Sequence, residues 1–347
     1  MNAETENIKP LLDKVADGHF LSETEAGTAF DIIMSGNATP AQIGAFLMGL
    51  RVRGETVKEI TAAARIMRSK ALSIVAPENA IDVVGTGGDG AGTLNISTGA
   101  AIVVAGCGVP IAKHGNRALS SKTGAADVLS ALGVNINCEM SLIEKSIKEA
   151  GIGFMMAPRH HSATRHVAGP RVELATRTIF NILGPLSNPA SVKRLLVGVF
   201  DRKWVKPMAE VLRNLGAEKA WVVHGSDGLD ELTITGPTYV AAWENGEIKT
   251  FEISPDQAGI PYGKLEDLKG AGSEENASAM LQMLEGKPSA FRDIVVYTSA
   301  AALLIADKAK NLKQGSDLAK TAIDNGSAKR TLEKLISITN EESDSVS

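Results

Sequence analysis

The chain has 347 residues, 44% hydrophobic and 22% charged, which is enough for two domains with sizeable cores. Its 36 lysines and arginines against 40 aspartates and glutamates leave a formal net charge of −4, which argues against binding nucleic acid through bulk charge. Two cysteines, Cys107 and Cys138, show no CxxC or Cys/His spacing and read as buried free thiols of a reducing compartment.

The opening "MNAETENIKPLLDKV" is polar and acidic, unlike a signal peptide, so a cytoplasmic protein is expected. Helix then follows helix for about seventy residues. Ile8, Leu11, Leu12 and Val15 recur at helical spacing. Ser22 with Glu25 forms a capping box before Phe30, Ile33 and Met34, and Gly36 closes that helix. Thr39 with Gln42 forms a second box, with Pro40 at the first helical position, and Thr56 with Glu59 opens a fourth helix. Four short amphipathic helices need partners for their apolar stripes, which predicts a helical domain or part of one.

At Ile81 the period changes. "IDVVG", "VPIAK", "GIGFMMA", "LLVGVF" and "AWVVHG" are short apolar runs bounded by glycine, proline or polar loops. Between them lie the helical patterns "GAAIVVAG", "TGAADVLSALG", "SLIEKSIKEAG" (with Ser141 and Glu144 as a further capping box) and "WVKPMAEVLRNLG". This alternation predicts an α/β domain with a mostly parallel sheet covered by helices. "YVAAWENGEIKTFEI" adds two antiparallel strands around Asn245-Gly246, and the chain is helical again from about Ser273. The longest apolar run, "AAIVVAGCGVPIA", is too short and too rich in glycine and alanine to span a bilayer. Between Arg165 and Pro189 the helical pattern "VELATRTIFNIL" stands where a strand is due. It suggests a return to the N-terminal helices. The expected division is a helical domain at 1–71 and 168–190 and an α/β domain at 72–167 and 191–347.

The chemistry concentrates in loops. After the first strand, "GTGGDGAGTLNIST" packs five glycines into its first eight residues, a backbone suited to close approach by a phosphate, with Asp89 in its middle. Gly85, Gly87 and Gly90 satisfy G-x-G-x-x-G, yet no helix starts at the third glycine. The second strand ends in Lys113-His114-Gly115-Asn116-Arg117 where a dinucleotide site needs an acid, and no Gly-Lys-Ser/Thr closes a Walker loop. Instead Thr93, Asn95, Ser97 and Thr98 supply hydroxyl and amide donors at a helix N-terminus, where Ser97 or Thr98 also suits an N-cap. "KHGNRALSSKTG" adds a second cationic loop, so a ligand phosphorylated at two separated points is expected. Such a ligand usually arrives with Mg²⁺, and "HGSDGLDELT" offers Asp227, Asp230 and Glu231 for it. Asp89 then neighbours ribose hydroxyls, a metal shell or loop amides rather than bare phosphate. His160, His161 and His166 in "APRHHSATRH" suit a structural or solvent-facing role as well as a chemical one, and His224 reads as shaping the acidic loop.

These motifs, with "RVELATRTIFNILGPLSNP" and "HGSDGLDEL", resemble the anthranilate phosphoribosyltransferase family along nearly the whole chain. The resemblance implies a small all-helical domain plus a large α/β domain with a mixed sheet, the nucleoside phosphorylase and phosphoribosyltransferase type of fold, and a homodimer formed through the helical domain. It implies transfer of the phosphoribosyl group of 5-phosphoribosyl-1-diphosphate to anthranilate in tryptophan biosynthesis, with two Mg²⁺ ions and no nucleic-acid or membrane partner. Carried over by motif, Gly85, Gly88, Asp89, Thr93, Asn95, Ile96, Ser97, Thr98, Lys113 and Ser121 hold the donor, with a backbone contact at Ala125 where the family often has serine. Gly85, His114, Asn116 and Arg171 hold anthranilate, and Ser97, Asp230 and Glu231 serve the metal. No residue is assigned as general acid or base, because an unprotonated arylamine attacks without a strong one. A pyrimidine nucleoside phosphorylase is the rival of related fold, disfavoured because phosphorolysis needs no acidic pair for a diphosphate metal. A nucleic-acid-binding relative is disfavoured by the acidic charge balance.

Overall fold

The computed structural model describes residues 7–118 and 122–342. It opens with α1 (Lys9–Ala16), α2 (Glu23–Met34), α3 (Pro40–Arg53) and α4 (Val57–Ser69). Ser22, Thr39 and Thr56 each accept from the backbone N–H three residues on, and Glu25, Gln42 and Glu59 reach back to the cap's own N–H. Gly36, at φ 80°, turns the chain out of α2. Glu59 also ties the bundle together. Fully buried, it accepts from the Leu21 N–H at 2.9 Å and from Arg53 Nη2 at 2.6 Å. Removing either partner of such a buried pair typically costs about 3–5 kcal/mol.

The α/β domain begins with β1 (Ile81–Gly85), α5 (Ile96–Gly106) and β2 (Ile111–Gly115), followed by α6 (Ala125–Ala131), α7 (Met140–Glu149) and β3 (Ile152–Met156). Three helices interrupt it: α8 (Ala157–His160), α9 (Arg165–Leu174) and α10 (Phe180–Leu183). The sheet resumes with β4 (Arg194–Gly198), α11 (Val205–Asn214), β5 (Lys219–Gly225), β6 (Thr238–Glu244) and β7 (Glu247–Ile253). The helices α12 (Ser273–Leu284), α13 (Ala290–Ile305), α14 (Leu312–Asp324) and α15 (Ser327–Thr339) complete it. The strand order is β3-β2-β1-β4-β5-β6-β7, parallel as far as β5 and antiparallel beyond. Asn245 and Gly246 both have positive φ, as the two-residue hairpin requires. This is the expected small helical domain beside a large α/β domain with a mixed sheet.

The chain steps outward from β1 to β2 and β3, then returns to lay β4 on β1's other side. Such a switch point opens a crevice at the carboxyl ends of the strands. The Pro-rich stop after α10 is fastened near the amino ends of these strands, since the Asn188 side-chain amide donates to Asp82 of β1 at 2.7 Å and to the Ala112 carbonyl of β2 at 2.9 Å.

Two local expectations fail. Ser141 lies inside α7 and makes no capping box with Glu144; the Glu144 carboxylate instead accepts from the Val75 N–H at 2.8 Å. The long helix read in "VELATRTIFNIL" is broken, because Ala175 adopts φ 45° and the chain runs irregularly until α10. α9 nevertheless packs on α2 and α3, and Phe180 meets Phe30 of α2 edge to face at 6.1 Å.

Candidate active site

Two adjoining cavities open at the switch point, sharing Gly85, Thr86, His114, Asn116 and Asn181. The first, about 260 Å³, is walled by the glycine loop after β1, the start of α5, the loop after β2 and the acidic loop after β5. Gly87, Gly88, Gly90 and Gly92 all have positive φ, so the loop follows a path closed to most other residues. Asp89 holds that path: one carboxylate oxygen accepts from the Ala91 N–H at 3.0 Å and the other from the Asp230 N–H at 3.4 Å. The acid among the glycines therefore braces its own loop against the acidic one.

Gly85 of β1 and Gly198 of β4 are register partners, and the acidic loop lies directly over them. A Cβ on Gly85 would come 2.6 Å from the Asp230 carboxylate, and one on Gly198 would come 1.6 Å from the Asp230 carbonyl. Only two bare backbones let Asp230 descend this far. Asp230 is buried, and burial together with Asp89 pushes its carboxyl up to about 7. Glu231 accepts from the Ser97 N–H at 3.1 Å, placing a carboxylate on the α5 N-terminus. Burial and the charge of Asp230 push Glu231 up to about 8 against the pull of Lys113. Lys113 is buried with Nζ donating to the Val83 carbonyl at 2.6 Å. Two buried acids whose charged forms lack compensation, beside a cradle of amides, can serve a cation that itself carries an anionic ligand.

The second cavity, about 210 Å³, is walled by Met67, Val84, Ala157, Pro158, Phe180 and Pro185, with Arg171, His114, His161 and Asn116 among its polar members. The Arg171 guanidinium stands over the Phe180 ring, 5.3 Å from its centroid. His114 and His161 meet edge to face at 5.1 Å. Burial, with each histidine's neighbours, holds His114 down at about 3 and His161 at about 4, so both are neutral. His114 Nδ1 pairs with the Gly184 carbonyl at 3.2 Å, while Nε2 has no hydrogen-bond partner among the described residues. Apolar walls, one guanidinium and two neutral rings suit a flat aromatic anion.

The structure brings nearly all the sequence-derived candidates to these cavities. Gly85, Gly88, Asp89, Thr93, Asn95, Ile96, Ser97, Lys113, Ala125, Asp230 and Glu231 line the first, and Gly85, His114, Asn116 and Arg171 line the second. Thr98 does not. It is buried within α5, and neither it nor Ser97 caps the helix, whose N-cap position is Asn95 without a side-chain cap bond. Ser121 lies outside the described residues. Asp227 turns away from the cavity and accepts from the hydroxyls of Thr233 at 2.6 Å and Thr235 at 2.8 Å. The His224 ring is held on the strand side, its Nδ1 meeting the Val199 carbonyl just after β4 at 2.7 Å. Among the described residues no group of three or more His, Cys, Asp or Glu side chains converges on a metal position.

Sequence reasoning missed His161, Gly198, Asn181 and Asn276. A glycine inside a strand signals close approach of another backbone, which Gly198 satisfies. Asn276, buried on α12, donates to the Asn95 side chain at 3.0 Å and accepts from the Ala271 N–H at 2.9 Å; nothing local in its sequence marks it.

The glycosyl transferase family α/β domain matches residues 77–329, and the same family's helical bundle domain matches residues 9–71. The anthranilate phosphoribosyltransferase of Rhodospirillum rubrum is 62% identical over 332 residues, 96% of this chain and 96% of its own. The chain belongs to the anthranilate phosphoribosyltransferase family. The anthranilate phosphoribosyltransferase of Thermus thermophilus superposes with a TM-score of 0.90 at 41% identity, covering 95% of this chain and 99% of its own. The Saccharomyces cerevisiae anthranilate phosphoribosyltransferase, solved with PRPP and Mg, superposes at 0.88 with 29% identity, covering 96% and 99%.

Proposed function

We propose that the glycine-loop cavity takes the phosphoribosyl donor and the apolar cavity takes anthranilate. The enzyme transfers the 5-phosphoribosyl group from 5-phosphoribosyl-1-diphosphate to anthranilate, giving N-(5-phosphoribosyl)anthranilate and pyrophosphate in tryptophan biosynthesis. The observation that carries the division is the contrast in walls: glycine amides, Lys113 and acids on one side, Arg171 and apolar rings on the other. Asp230, Glu231 and the Ser97 hydroxyl would hold magnesium, as two ions. They are hard oxygen donors, and Mg²⁺ is commonly bound by one or two carboxylates together with substrate phosphates, which fits a site with no all-protein metal cage. When bound, the metal offsets the charge of the leaving diphosphate.

The C–O bond to diphosphate breaks as the anthranilate nitrogen bonds to the anomeric carbon; the bond's electron pair leaves with pyrophosphate, and the amine's surplus proton passes to water or to that pyrophosphate. Arg171 grips the carboxylate and Asn116 helps fix the direction of the amine. His114 and His161 stay neutral and weakly basic, in keeping with a reaction that assigns no strong general base. Residues 168–190 complete the helical domain in this reading, supported by the packing of α9 on α2 and α3. A homodimer through that domain is supported by Phe20 and Val52, which lie 59% and 81% exposed on it. A cytoplasmic location is supported by two unpaired cysteines; among the described residues no helix is long and apolar enough to cross a membrane. A fluorescence assay for phosphoribosyl-anthranilate, with and without Mg²⁺, tests the reading. Magnesium-dependent product supports it, and thymidine phosphorolysis without anthranilate turnover would reject it.

A further inference from the structure

Arg177 lies in the break between α9 and α10, on the same stretch of chain as Arg171, and belongs to neither set of site residues. Its guanidinium crosses the cleft to the α/β domain. Nη2 donates to the Gly88 carbonyl, and the planar group stacks on Phe200 with Cζ 4.3 Å from the ring centroid. The Arg177 carbonyl in turn accepts from Arg51 of α3, so the residue is anchored on the helical side. Phe200 follows β4 and braces the same loop from below, its N–H donating to Thr86 Oγ1 at 3.0 Å, while the Thr86 N–H bonds the Gly198 carbonyl at 2.9 Å.

These contacts matter because the loop has little shape of its own. Gly87 and Gly88 are consecutive and both at positive φ, 68° and 77°, where glycine retains broad freedom and no side chain packs. Thr86 and Gly87 are fastened to the α/β domain, Gly87 through its N–H to the Asp230 carboxylate. The next peptide is held from the opposite domain, by a guanidinium.

We infer that Arg177 is a positioning residue of the donor loop: it clasps the Gly88 carbonyl from across the cleft, seated on Phe200, and so holds the loop amides in the arc that lines the donor cavity. The inference rests on the assignment of the donor to that cavity. Both faces of the guanidinium system are used, its edge for the carbonyl and its plane for the ring, which a lysine cannot reproduce.

The test is steady-state kinetics with both substrates varied, on the full-length enzyme with Mg²⁺, beside melting temperatures. Arg177→Ala should raise the KM for the donor about tenfold, the scale of one charge-assisted hydrogen bond, while the anthranilate KM stays within about twofold. Arg177→Lys should recover part of the loss. Phe200→Leu should raise the donor KM less, and adding it to Arg177→Ala should do nothing more, because the ring acts through the guanidinium. An unchanged donor KM in both Arg177 variants overturns the inference, as do equal rises in both KM values with a lowered melting temperature. Ser97→Ala, on the far wall, separates the two layers. If it raises the donor KM while Arg177→Ala does not, the clasp is wrong and the donor assignment stands. If neither moves it, the assignment fails and takes the clasp with it.

Discussion

The two cavities share an edge at Gly85 and Thr86 yet are built on opposite principles. The apolar one is completed by the protein itself: its histidines are held neutral, its rings are packed against one another, and its one cation is seated over Phe180. The glycine-loop one gathers acids, with Asp230 and Glu231 both driven far above the usual carboxylate range by burial and by a neighbouring carboxylate, Asp89 for Asp230 and Asp230 for Glu231. On the proposed division of substrates, affinity for the aromatic one is a matter of fixed shape, whereas affinity for the phosphorylated one is tied to a cation that relieves the acids.

That contrast breaks most violently if the acids are neutralised. Asp230→Asn with Glu231→Gln should lower kcat by about 10²–10³-fold, the scale of a lost preorganised electrostatic group, and abolish the response to a magnesium titration. Full activity across that titration would contradict the account. In the unmodified enzyme the apparent magnesium affinity should rise between pH 6 and 8.5, because the cation binds the deprotonated forms of groups lying near 7 and 8. Titrating activity against magnesium at several pH values reads this directly. Gly198→Ala should act through space alone, since its new methyl would collide with the Asp230 carbonyl. Overpacking of about 1–3 kcal/mol should appear as roughly tenfold weaker magnesium-dependent turnover with the anthranilate KM preserved. The smallest effect belongs to the apolar cavity. Lowering the pH from 7.5 to 6 should leave the anthranilate KM within about twofold, because His114 at about 3 and His161 at about 4 do not titrate there. A steep rise would show that one of them carries charge.

Local chemistry was readable wherever a short stretch determines its own geometry. The boxes at Ser22, Thr39 and Thr56 form because cap and partner lie three residues apart, and Asn245-Gly246 makes its hairpin turn for the same reason. Ser141 fails because Met140 already lies in α7 and Glu144 finds a better donor in Val75, sixty-nine residues away in the chain. The break at Ala175 is invisible to periodicity, since the apolar spacing of "VELATRTIFNIL" continues across it, while the Asn181 side chain accepts from the Thr178 N–H just ahead of α10. The glycine and acidic loops could be recognised as candidates from composition. That Gly198 would seat Asp230, that Glu231 would take the α5 N-terminus, or that His161 would face His114 depends on strand order, which joins segments far apart in the chain.

The division of substrates between the cavities is tested most directly by measuring both KM values in Arg171→Ala and Ser97→Ala under one set of conditions. Arg171→Ala should raise the anthranilate KM by about 10- to 150-fold, the equivalent of a charge-assisted contact of roughly 1.5–3 kcal/mol, and leave the donor KM nearly unchanged. Ser97→Ala should do the reverse, raising the donor KM and sparing anthranilate. If each variant instead raises both constants equally, with a lowered melting temperature, the two residues are structural and the substrates are not divided as described.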